Sequence, residues 1–322
     1  MSIKKRDVIF VAGHNGMVGS AILRLLKKKN FKNIITVNKS SLDLTDQKKV
    51  NNFFRKKKIN IIFLCAAKVG GIYANNTYPA EFIYKNIMIQ SNIINAAFKN
   101  KINKILFLGS SCVYPVIITR KIKEEDLLTD KLEMTNEPYS IAKISGIKMC
   151  ESYNRQYNTD YRSLMPTNLF GPGDNFHPEN SHVIAGLIRK FILAKKNNHK
   201  QVVAWGTGKP KREFLYVDDL ADAAFYIANL NKKKYLKITH PRISHINIGY
   251  GKDYSIKSIT KIMADALKYK GKIIFDKSKN DGVKKKLLDS KKIFSLGWKP
   301  RFEFKKTLRK YIQDLYKLEK PF

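Results

Sequence analysis

Cysteine is scarce in this sequence of 322 residues, which contains only Cys65, Cys112 and Cys150. The odd number and wide separations match neither a disulfide framework nor the close pairs typical of a zinc site. The scarcity therefore excludes a disulfide-rich secreted domain and favours a reducing compartment, the cytoplasm. We expect no metal site.

Long hydrophobic stretches are also lacking. One of the longest, residues 59–67, is interrupted by Asn60 and is much shorter than the roughly 20 residues of a membrane-spanning helix. Residues 1–7 are mostly charged and lead directly into a strand-like run, without the apolar core of a signal peptide. We therefore expect neither a membrane span nor a signal peptide.

Acidic residues are few, with 26 Asp and Glu against 62 Lys and Arg, so the formal net charge is +36. Such an excess can indicate a nucleic-acid partner, because cations neutralise phosphates. Here the lysines are scattered among Asn and Ile, whereas a binding face would concentrate them or place aromatic residues between them. We expect no nucleic-acid partner, although the charge would attract anionic ligands such as dinucleotides and nucleotide sugars.

The sequence does contain a regular alternation of short apolar runs and amphipathic stretches. The runs predicted to be strands are residues 8–12, 34–37, 61–66, 105–109 and 161–165. Residues 20–29 carry apolar side chains at helical spacing, and residues 139–157 predict a long helix that begins after Pro138. This alternation predicts an α/β fold with a Rossmann-type, doubly wound parallel sheet.

The pattern changes after Gly171, where residues 171–182 are rich in Gly, Pro, Asn and His. We predict a nucleotide-binding domain over residues 1–171, to which the chain returns at about residues 215–250. Residues 172–322 are predicted to form mainly a smaller α/β substrate-binding lobe.

Residues 13–19 place glycine at every third position, directly between the first predicted strand and helix. Glycine allows a tight turn and a close approach of the backbone to a pyrophosphate, whose charge the helix N-terminus favours. A purely structural turn is the alternative, but the position in the alternating pattern favours dinucleotide binding. The predicted cofactor contacts are Gly13, His14, Asn15, Gly16, Met17, Val18 and Gly19.

The second predicted strand is followed by Asn38 and Lys39. An NAD enzyme usually has a carboxylate here that binds the ribose hydroxyls, so a cation in its place favours the 2′-phosphate of NADP. The alternative is that Lys39 is one more surface lysine in a lysine-rich chain.

Tyr139 and Lys143 lie four residues apart on a predicted helix and therefore share a face. A nearby ammonium lowers the pKa of a phenol, which makes tyrosine usable as an acid or base. This spacing is also common on solvated helices. Ser110, however, follows a predicted strand, at the edge where such sheets bind ligands, and can hold a carbonyl oxygen that gains charge during hydride transfer. The three residues predict an oxidoreductase that acts on a carbonyl group.

These residues, together with several longer blocks, resemble the extended short-chain dehydrogenase/reductase family, and within it the 3,5-epimerase/4-reductases of GDP-4-keto-6-deoxymannose. The resemblance runs from about residue 8 to at least residue 300. Its specific blocks are residues 66–72 (AAKVGGI), 74–79 (ANNTYP), 109–112 (GSSC), 151–157 (ESYNRQY), 165–169 (MPTNL) and 174–178 (DNFHP).

The resemblance implies catalytic roles for five residues. Cys112 matches the family's base and His182 its acid, and together they would invert C3 and C5 of the keto-sugar. Ser110, Tyr139 and Lys143 would then support reduction at C4 by NADPH. Taken without the resemblance, Cys112 fits a buried core residue equally well, and His182 an ordinary loop histidine.

The resemblance also implies ligand contacts and an assembly. The further expected cofactor contacts are Leu108, Gly109, Ser110, Lys143, Pro166, Asn168 and His182. The positions matching those that bind the GDP moiety are Lys190, Trp205, Arg212, Lys272, Asp281 and Lys286. The family pattern has arginine at the positions of Asn15, Lys39, Lys190 and Lys272. A homodimer formed through long helices of the nucleotide domain is implied as well.

Other functions stay open at this level. A sister 4-reductase that acts on a 3-deoxy keto-sugar shares the motifs, and so does an epimerase or dehydratase that recycles its cofactor. Dehydratases of this family have a Thr-Asp-Glu-like segment where this chain has Ser111, Cys112 and Val113. This difference argues against a dehydratase. An alternative of another class is a non-catalytic protein with the same fold that binds a dinucleotide or RNA. The presence of both Tyr139 and Lys143 argues against it.

Overall fold

The computed structural model describes residues 2–117, 119–279, 281–318 and 322. In the first half of the chain strands and helices alternate. They are β1 (Ile9–Ala12), α1 (Met17–Lys28), β2 (Ile34–Ile35), α2 (Gln47–Lys56), β3 (Ile61–Leu64), α3 (Ile72–Thr77), α4 (Pro79–Lys99), β4 (Lys104–Leu108), α5 (Glu137–Tyr157) and β5 (Asp160–Pro166). Three short 3₁₀ turns lie between β4 and α5: Ser111–Val113, Glu124–Asp126 and Met134–Asn136.

The second half is less regular. Its elements are β6 (Asn168–Phe170), α6 (Val183–Lys196), β7 (Gln201–Trp205), β8 (Lys211–Tyr216), α7 (Val217–Asn229), α8 (Lys232–Ile238), β9 (Ile246–Ile248), β10 (Asp253–Ser255), α9 (Ile256–Leu267), β11 (Lys272–Asp276), β12 (Lys285–Lys286), α10 (Lys291–Ser295) and α11 (Phe304–Tyr316). Among the described helices, none has the length and apolarity that a membrane span requires.

A six-stranded sheet forms the centre, in the order β2-β1-β3-β4-β5-β9. Every neighbouring pair is parallel, so the predicted Rossmann-type doubly wound sheet is confirmed. The chain passes from β1 to β2 on one side and then returns to β3 on the other side of β1. At such a switch point a crevice opens at the carboxyl ends of the strands.

Both faces of this sheet are buried, which explains the uninterrupted apolar runs of its strands. In β1, Ile9 and Val11 point into one core, which also contains buried residues of α1 and α7. Phe10 and Ala12 point into the other, which contains buried residues of α2, α4 and α5. Because α7 and β9 belong to these layers, the chain re-enters the central unit after β8.

A third core lies in the second half, where buried residues of α6, α9 and α11 pack with residues of β7 and β8. Here β8 pairs with β6 and β12 in parallel and with β10 antiparallel. A separate pair joins β7 and β11. Residues of β6, β7, β8 and β12 line the crevice at the carboxyl edge of the large sheet.

The predicted elements differ from the observed ones by up to three residues at an end, and two of these differences have a structural reason. The helix predicted from residue 20 begins at Met17, directly after Gly16, so the glycine turn is tighter than expected. The predicted strand 34–37 is reduced to Ile34–Ile35, because this edge strand pairs only with β1.

Candidate active site

One cavity of about 900 Å³ lies between the carboxyl ends of the central strands and the third core. All five predicted catalytic residues line it, and so do all the predicted cofactor contacts and four of the six predicted substrate contacts. The cavity therefore brings together residues that are up to 273 positions apart in the sequence, from Gly13 to Lys286.

The three glycines of the turn differ in the space around them. Gly16 leaves room for a ligand, whereas Gly13 and Gly19 are packed against backbone atoms. A Cβ on Gly19 would lie 2.1 Å from the Gly13 carbonyl oxygen, and Gly13 itself has φ +85° and lies against the backbone of Ala66. A Cβ on Gly16 would meet nothing closer than 3.5 Å. Gly16 is exposed, lines the cavity and precedes α1, so its bare backbone faces the place where a pyrophosphate would lie. The turn fits a dinucleotide.

Lys39, the residue predicted to bind the 2′-phosphate, lies in the loop after β2. Lys39 is exposed and lines the cavity. The Asn15 side-chain amide donates a hydrogen bond of 3.0 Å to the Asn38 side chain, which joins the glycine turn to the end of the second strand. Asp43 is the acidic residue nearby, and hydrogen bonds from Thr45 hold its pKa below the usual value. This corner thus contains one cation, two amides and one carboxylate, and Lys39 is the group that suits a phosphate.

Ser110, Tyr139 and Lys143 converge at the end of β4. Ser110 begins the 3₁₀ turn that follows the strand, and it forms a side-chain hydrogen bond with Tyr139. The Lys143 ammonium is buried and donates a hydrogen bond of 2.8 Å to the Leu108 carbonyl oxygen. It lies 6.0 Å from the centre of the Tyr139 ring.

The electrostatics of this group differ from the expectation. Burial raises the pKa of Tyr139, the nearby Cys112 thiol raises it further, and the Ser110 hydrogen bond opposes both. Burial lowers the pKa of Lys143 to about 8, although Cys65 acts in the opposite direction. Lys143 is not among the groups that shift the pKa of Tyr139 here, and its ammonium is directed at Leu108. That Lys143 lowers this pKa stays a prediction. Tyr139 keeps its proton at neutral pH and is suited to donate it.

Cys112 and His182 reach the same cavity from different elements. Cys112 lies in the 3₁₀ turn after Ser110 and is half-buried, unlike a core cysteine such as Cys150. His182 precedes α6 and is accessible from the cavity, but protein atoms crowd the imidazole from other sides and this burial lowers its pKa. The structure thus places a thiol and an imidazole in the cavity that the Ser110 and Tyr139 pair lines.

Arg212 contributes a positive charge next to Cys112. Burial lowers the pKa of its guanidinium, whereas Cys112 and Asp281 raise it, so both groups lie within electrostatic range. Its Nη1 donates to the carbonyl oxygens of Lys211, at 2.9 Å, and Val283. Trp205, Asp281 and Lys286 also line the cavity.

The two remaining predicted substrate contacts, Lys190 and Lys272, are not among the cavity-lining residues. The Lys190 ammonium lies 4.7 Å from the centre of the Trp205 ring and donates to the Val203 carbonyl oxygen. Lys272 pairs with Gln201 at the start of the β7 and β11 ladder, whereas Trp205 lies at its other end. Four residues of strand separate the two ends, or about 13 Å.

The loop after β3 has a structural role that was not predicted from the sequence, although residues 66–72 belong to the blocks that carry the family resemblance. Gly70 and Gly71 line the cavity, and the Gly71 N–H donates to the Asn180 carbonyl oxygen at 3.0 Å, two residues before His182. A Cβ on Gly71 would lie 2.5 Å from the Ser181 carbonyl oxygen. The two adjacent glycines could have indicated this contact from the sequence, since glycine permits such a close approach of two loops.

Comparison with known proteins shows which family the chain belongs to. The model of the NAD dependent epimerase/dehydratase family matches residues 9–249. The chain belongs to this family. Among family members, the GDP-L-fucose synthase of Escherichia coli K12 is 53% identical over 290 residues, which cover 90% of each chain. The resemblance inferred from the motifs is therefore confirmed.

Solved structures of related proteins have the same fold. A GDP-6-OMe-4-keto-L-xylo-heptose reductase from C. jejuni is 36% identical, with a TM-score of 0.91 over 98% of both chains. A GDP-L-fucose synthetase from Naegleria fowleri bound to NADP is 27% identical, with a TM-score of 0.86 over 97% of this chain and 95% of that chain.

Proposed function

We propose that this protein is a GDP-L-fucose synthase, which epimerises GDP-4-dehydro-6-deoxy-α-D-mannose at C3 and C5 and then reduces the C4 ketone to give GDP-L-fucose. The cofactor is NADP(H). The observation that carries the proposal is the presence of Cys112 and His182 in the same cavity as the reductase residues Ser110, Tyr139 and Lys143. A simple reductase does not require the first pair.

The epimerisation uses the acidity that a 4-keto group gives to the neighbouring C–H bonds. In this proposal Cys112 removes a proton from C3 or C5, and the positive charge of Arg212 lies within electrostatic range of its sulfur. His182 returns a proton from the opposite face. Because burial lowers the pKa of His182, its protonated form is scarcer at neutral pH but a stronger acid.

The reduction requires a proton donor to the ketone oxygen. Tyr139 fits this role because burial keeps its phenol protonated, and Ser110 holds the oxygen through its hydroxyl. NADPH supplies the hydride to C4 when it is bound. Lys143, whose buried ammonium lies at the end of β4, would bind the ribose next to the nicotinamide.

The GDP moiety is assigned to the opposite side of the cavity. Arg212 and Lys286 would pair with the diphosphate, and Trp205, which is 52% exposed, offers a flat apolar surface for the base. Lys190 would act through Trp205, against which its ammonium lies. Lys272 stays a sequence-based prediction.

We also propose the organisation and assembly predicted from the sequence: a nucleotide domain over residues 1–171, re-entered at about 215–250, and a cytoplasmic homodimer. The exposed aromatic side chains Tyr84 on α4 and Tyr157 on α5, which are 61% and 45% accessible, support an interface on these long helices. Light scattering of the purified protein measures the assembly, and a monomer at micromolar concentration contradicts the homodimer.

Product analysis with the GDP-4-keto-6-deoxy sugar tests the function, with NADPH and NADH supplied separately. We expect GDP-L-fucose and faster turnover with NADPH, because Lys39 lies where a 2′-phosphate would be bound. No cofactor oxidation at any substrate concentration contradicts the proposal.

A second candidate is a 4-reductase that acts on another GDP-4-keto sugar without epimerisation, favoured by the likeness to the C. jejuni heptose reductase. Solvent deuterium separates the two. An epimerase incorporates deuterium at C3 and C5, and Cys112→Ser should block this incorporation while the cofactor still binds. A product without deuterium at both carbons favours the simple reductase.

A further inference from the structure

The turn that carries Cys112 is weakly held by its own backbone. Residues Ser111–Val113 form one 3₁₀ turn. Its N–H···O bonds are long, 3.3 Å from Val113 to Ser110 and 3.5 Å from Tyr114 to Ser111. Protein hydrogen bonds of this type cluster near 2.9–3.0 Å and weaken beyond that. Other contacts must therefore fix the position of the thiol.

Two serine hydroxyls hold the Cys112 backbone on its two sides. The Ser110 Oγ accepts a hydrogen bond of 3.2 Å from the Cys112 N–H. The Ser140 Oγ donates a hydrogen bond of 3.0 Å to the Cys112 carbonyl oxygen. Ser140 is fully buried, so water does not compete for this contact. Its single proton is shared with the side-chain oxygen of Asn136, 2.9 Å away.

Ser140 directly follows Tyr139 on α5. The same turn of α5 therefore places the Tyr139 phenol in the cavity and the Ser140 hydroxyl on the backbone of the Cys112 turn. Ser110 hydrogen-bonds both Tyr139 and the Cys112 N–H. Ser110 and Ser140 therefore connect the reductase residues to the backbone of the Cys112 turn.

We propose that Ser140 is a positioning residue for Cys112, which sets the distance of the thiol from the keto-sugar that Tyr139 and Ser110 hold. This inference rests on the proposed epimerase activity. Loss of the hydroxyl leaves the Cys112 carbonyl oxygen without this donor in a buried place, and the turn then shifts or becomes mobile.

Ser140→Ala is a suitable test because alanine is the better helix former and the missing atom is small, so α5 should stay folded. The matched control is Ser290→Ala. Ser290 is also buried, and among the described residues its hydroxyl has no hydrogen-bond partner. The control therefore removes a buried hydroxyl without releasing Cys112.

Two measurements are made on each full-length variant. The first is the rate of solvent deuterium incorporation at C3 and C5 of the keto-sugar with NADP⁺ present, so that no hydride is delivered. The second is the rate at which iodoacetamide labels Cys112, followed by peptide mass spectrometry so that Cys65 is counted separately. NADPH binding stoichiometry normalises both measurements to folded protein.

We expect Ser140→Ala to lower the kcat of deuterium incorporation by about tenfold with an unchanged KM, the effect of losing about one hydrogen bond. We also expect the Cys112 labelling rate to change by at least about threefold. Ser290→Ala should leave both rates within about twofold of wild type. A merely structural role of Ser140 would lower NADPH binding stoichiometry and leave the normalised rates unaltered.

Normalised rates of Ser140→Ala that match wild type in both measurements overturn the inference. If wild type itself incorporates no deuterium, the proposed epimerase activity fails. The labelling rate then still decides whether Ser140 positions Cys112, because alkylation needs no substrate.

Discussion

The cofactor side of the cavity is formed largely by backbone at the ends of β1 and β4, whereas the opposite side is formed by long side chains from β7, β8 and β12. On the first side glycines and carbonyl groups define the shape, as at Gly16 and Leu108. On the second side a tryptophan and several cations do so. Backbone shape follows from the fold, but side-chain reach depends on where each strand ends.

The difference has a consequence for substitution. A backbone-built surface tolerates almost no change at the positions of closest approach, because a Cβ meets atoms that cannot move. A surface of flexible cations tolerates the loss of one of them, because each is partly solvated and neighbouring charges remain. We therefore expect larger effects on the cofactor side.

The largest effect is expected at the junction of the two sides, from Tyr139→Phe. Without the phenol proton the ketone oxygen loses its donor, and NADPH oxidation should slow by roughly 10²- to 10⁴-fold. Deuterium incorporation at C3 and C5, which uses Cys112, should persist. Stopped-flow fluorescence and product mass spectrometry measure the two rates.

Tyr153→Phe is the control for Tyr139→Phe. It lies on the same helix and its hydroxyl donates to the Asn95 side chain at 3.1 Å, outside the cavity-lining set. Equal loss of oxidation and deuterium incorporation in Tyr139→Phe contradicts separate donors for the two steps.

Gly16→Ala and Gly19→Ala test two roles of glycine on the cofactor side, the backbone-built half of the cavity. Gly16 leaves space for the ligand, and Gly19 allows close packing of the turn. The Gly16 backbone is extended, with φ −79°, and has space for a Cβ, so Gly16→Ala should keep its melting temperature. Its Kd for NADPH should rise roughly 10- to 100-fold, as expected when contacts to a charged pyrophosphate are lost. Gly19→Ala should lose about 1–3 kcal/mol of folding free energy by overpacking.

Differential scanning fluorimetry and NADPH titration distinguish these two variants. A Gly16→Ala protein that unfolds at the temperature of Gly19→Ala would show that both glycines serve the fold alone.

The pH dependence of cofactor binding tests the buried cation of the same half. Burial lowers the pKa of Lys143 to about 8, so its ammonium is present below that pH and is lost as pH rises through it. If only the charged form binds the ribose, the Kd for NADPH at pH 9 should be about tenfold higher than at pH 7. Lys143→Met should bind weakly at both values, and a Kd that rises equally in this variant assigns the effect to another group.

The sequence predicted the backbone-built half well for a physical reason. Buried parallel strands require continuous apolar runs, and the turn after β1 requires glycine at 13 and 19, so both features appear as local patterns. The bounds of β2 were less predictable, because pairing at a sheet edge depends on a single neighbour.

The electrostatics of the site and the side-chain-built half were harder to predict. Spacing indicated that Tyr139 and Lys143 share a face, but it carried no information about burial, which raises the pKa of Tyr139. Spacing likewise did not indicate that Ser140 reaches back to the Cys112 turn. Such contacts join segments that are distant along the chain.

The smallest effects are expected from two lysines near the side of the cavity that long side chains form. Lys190→Ala removes an ammonium that lies 4.7 Å from the Trp205 ring, and the KM for the GDP-sugar should rise about threefold, as expected for one partly exposed cation–π contact. Lys272→Ala changes a side chain at the far end of the ladder from Trp205, so its KM should stay within about 1.5-fold of wild type. Steady-state kinetics at fixed ionic strength compares the two variants, each of which removes one positive charge. A KM that rises equally in both variants would mean that overall charge attracts the substrate, and a larger rise for Lys272→Ala would place the diphosphate beside the start of β11.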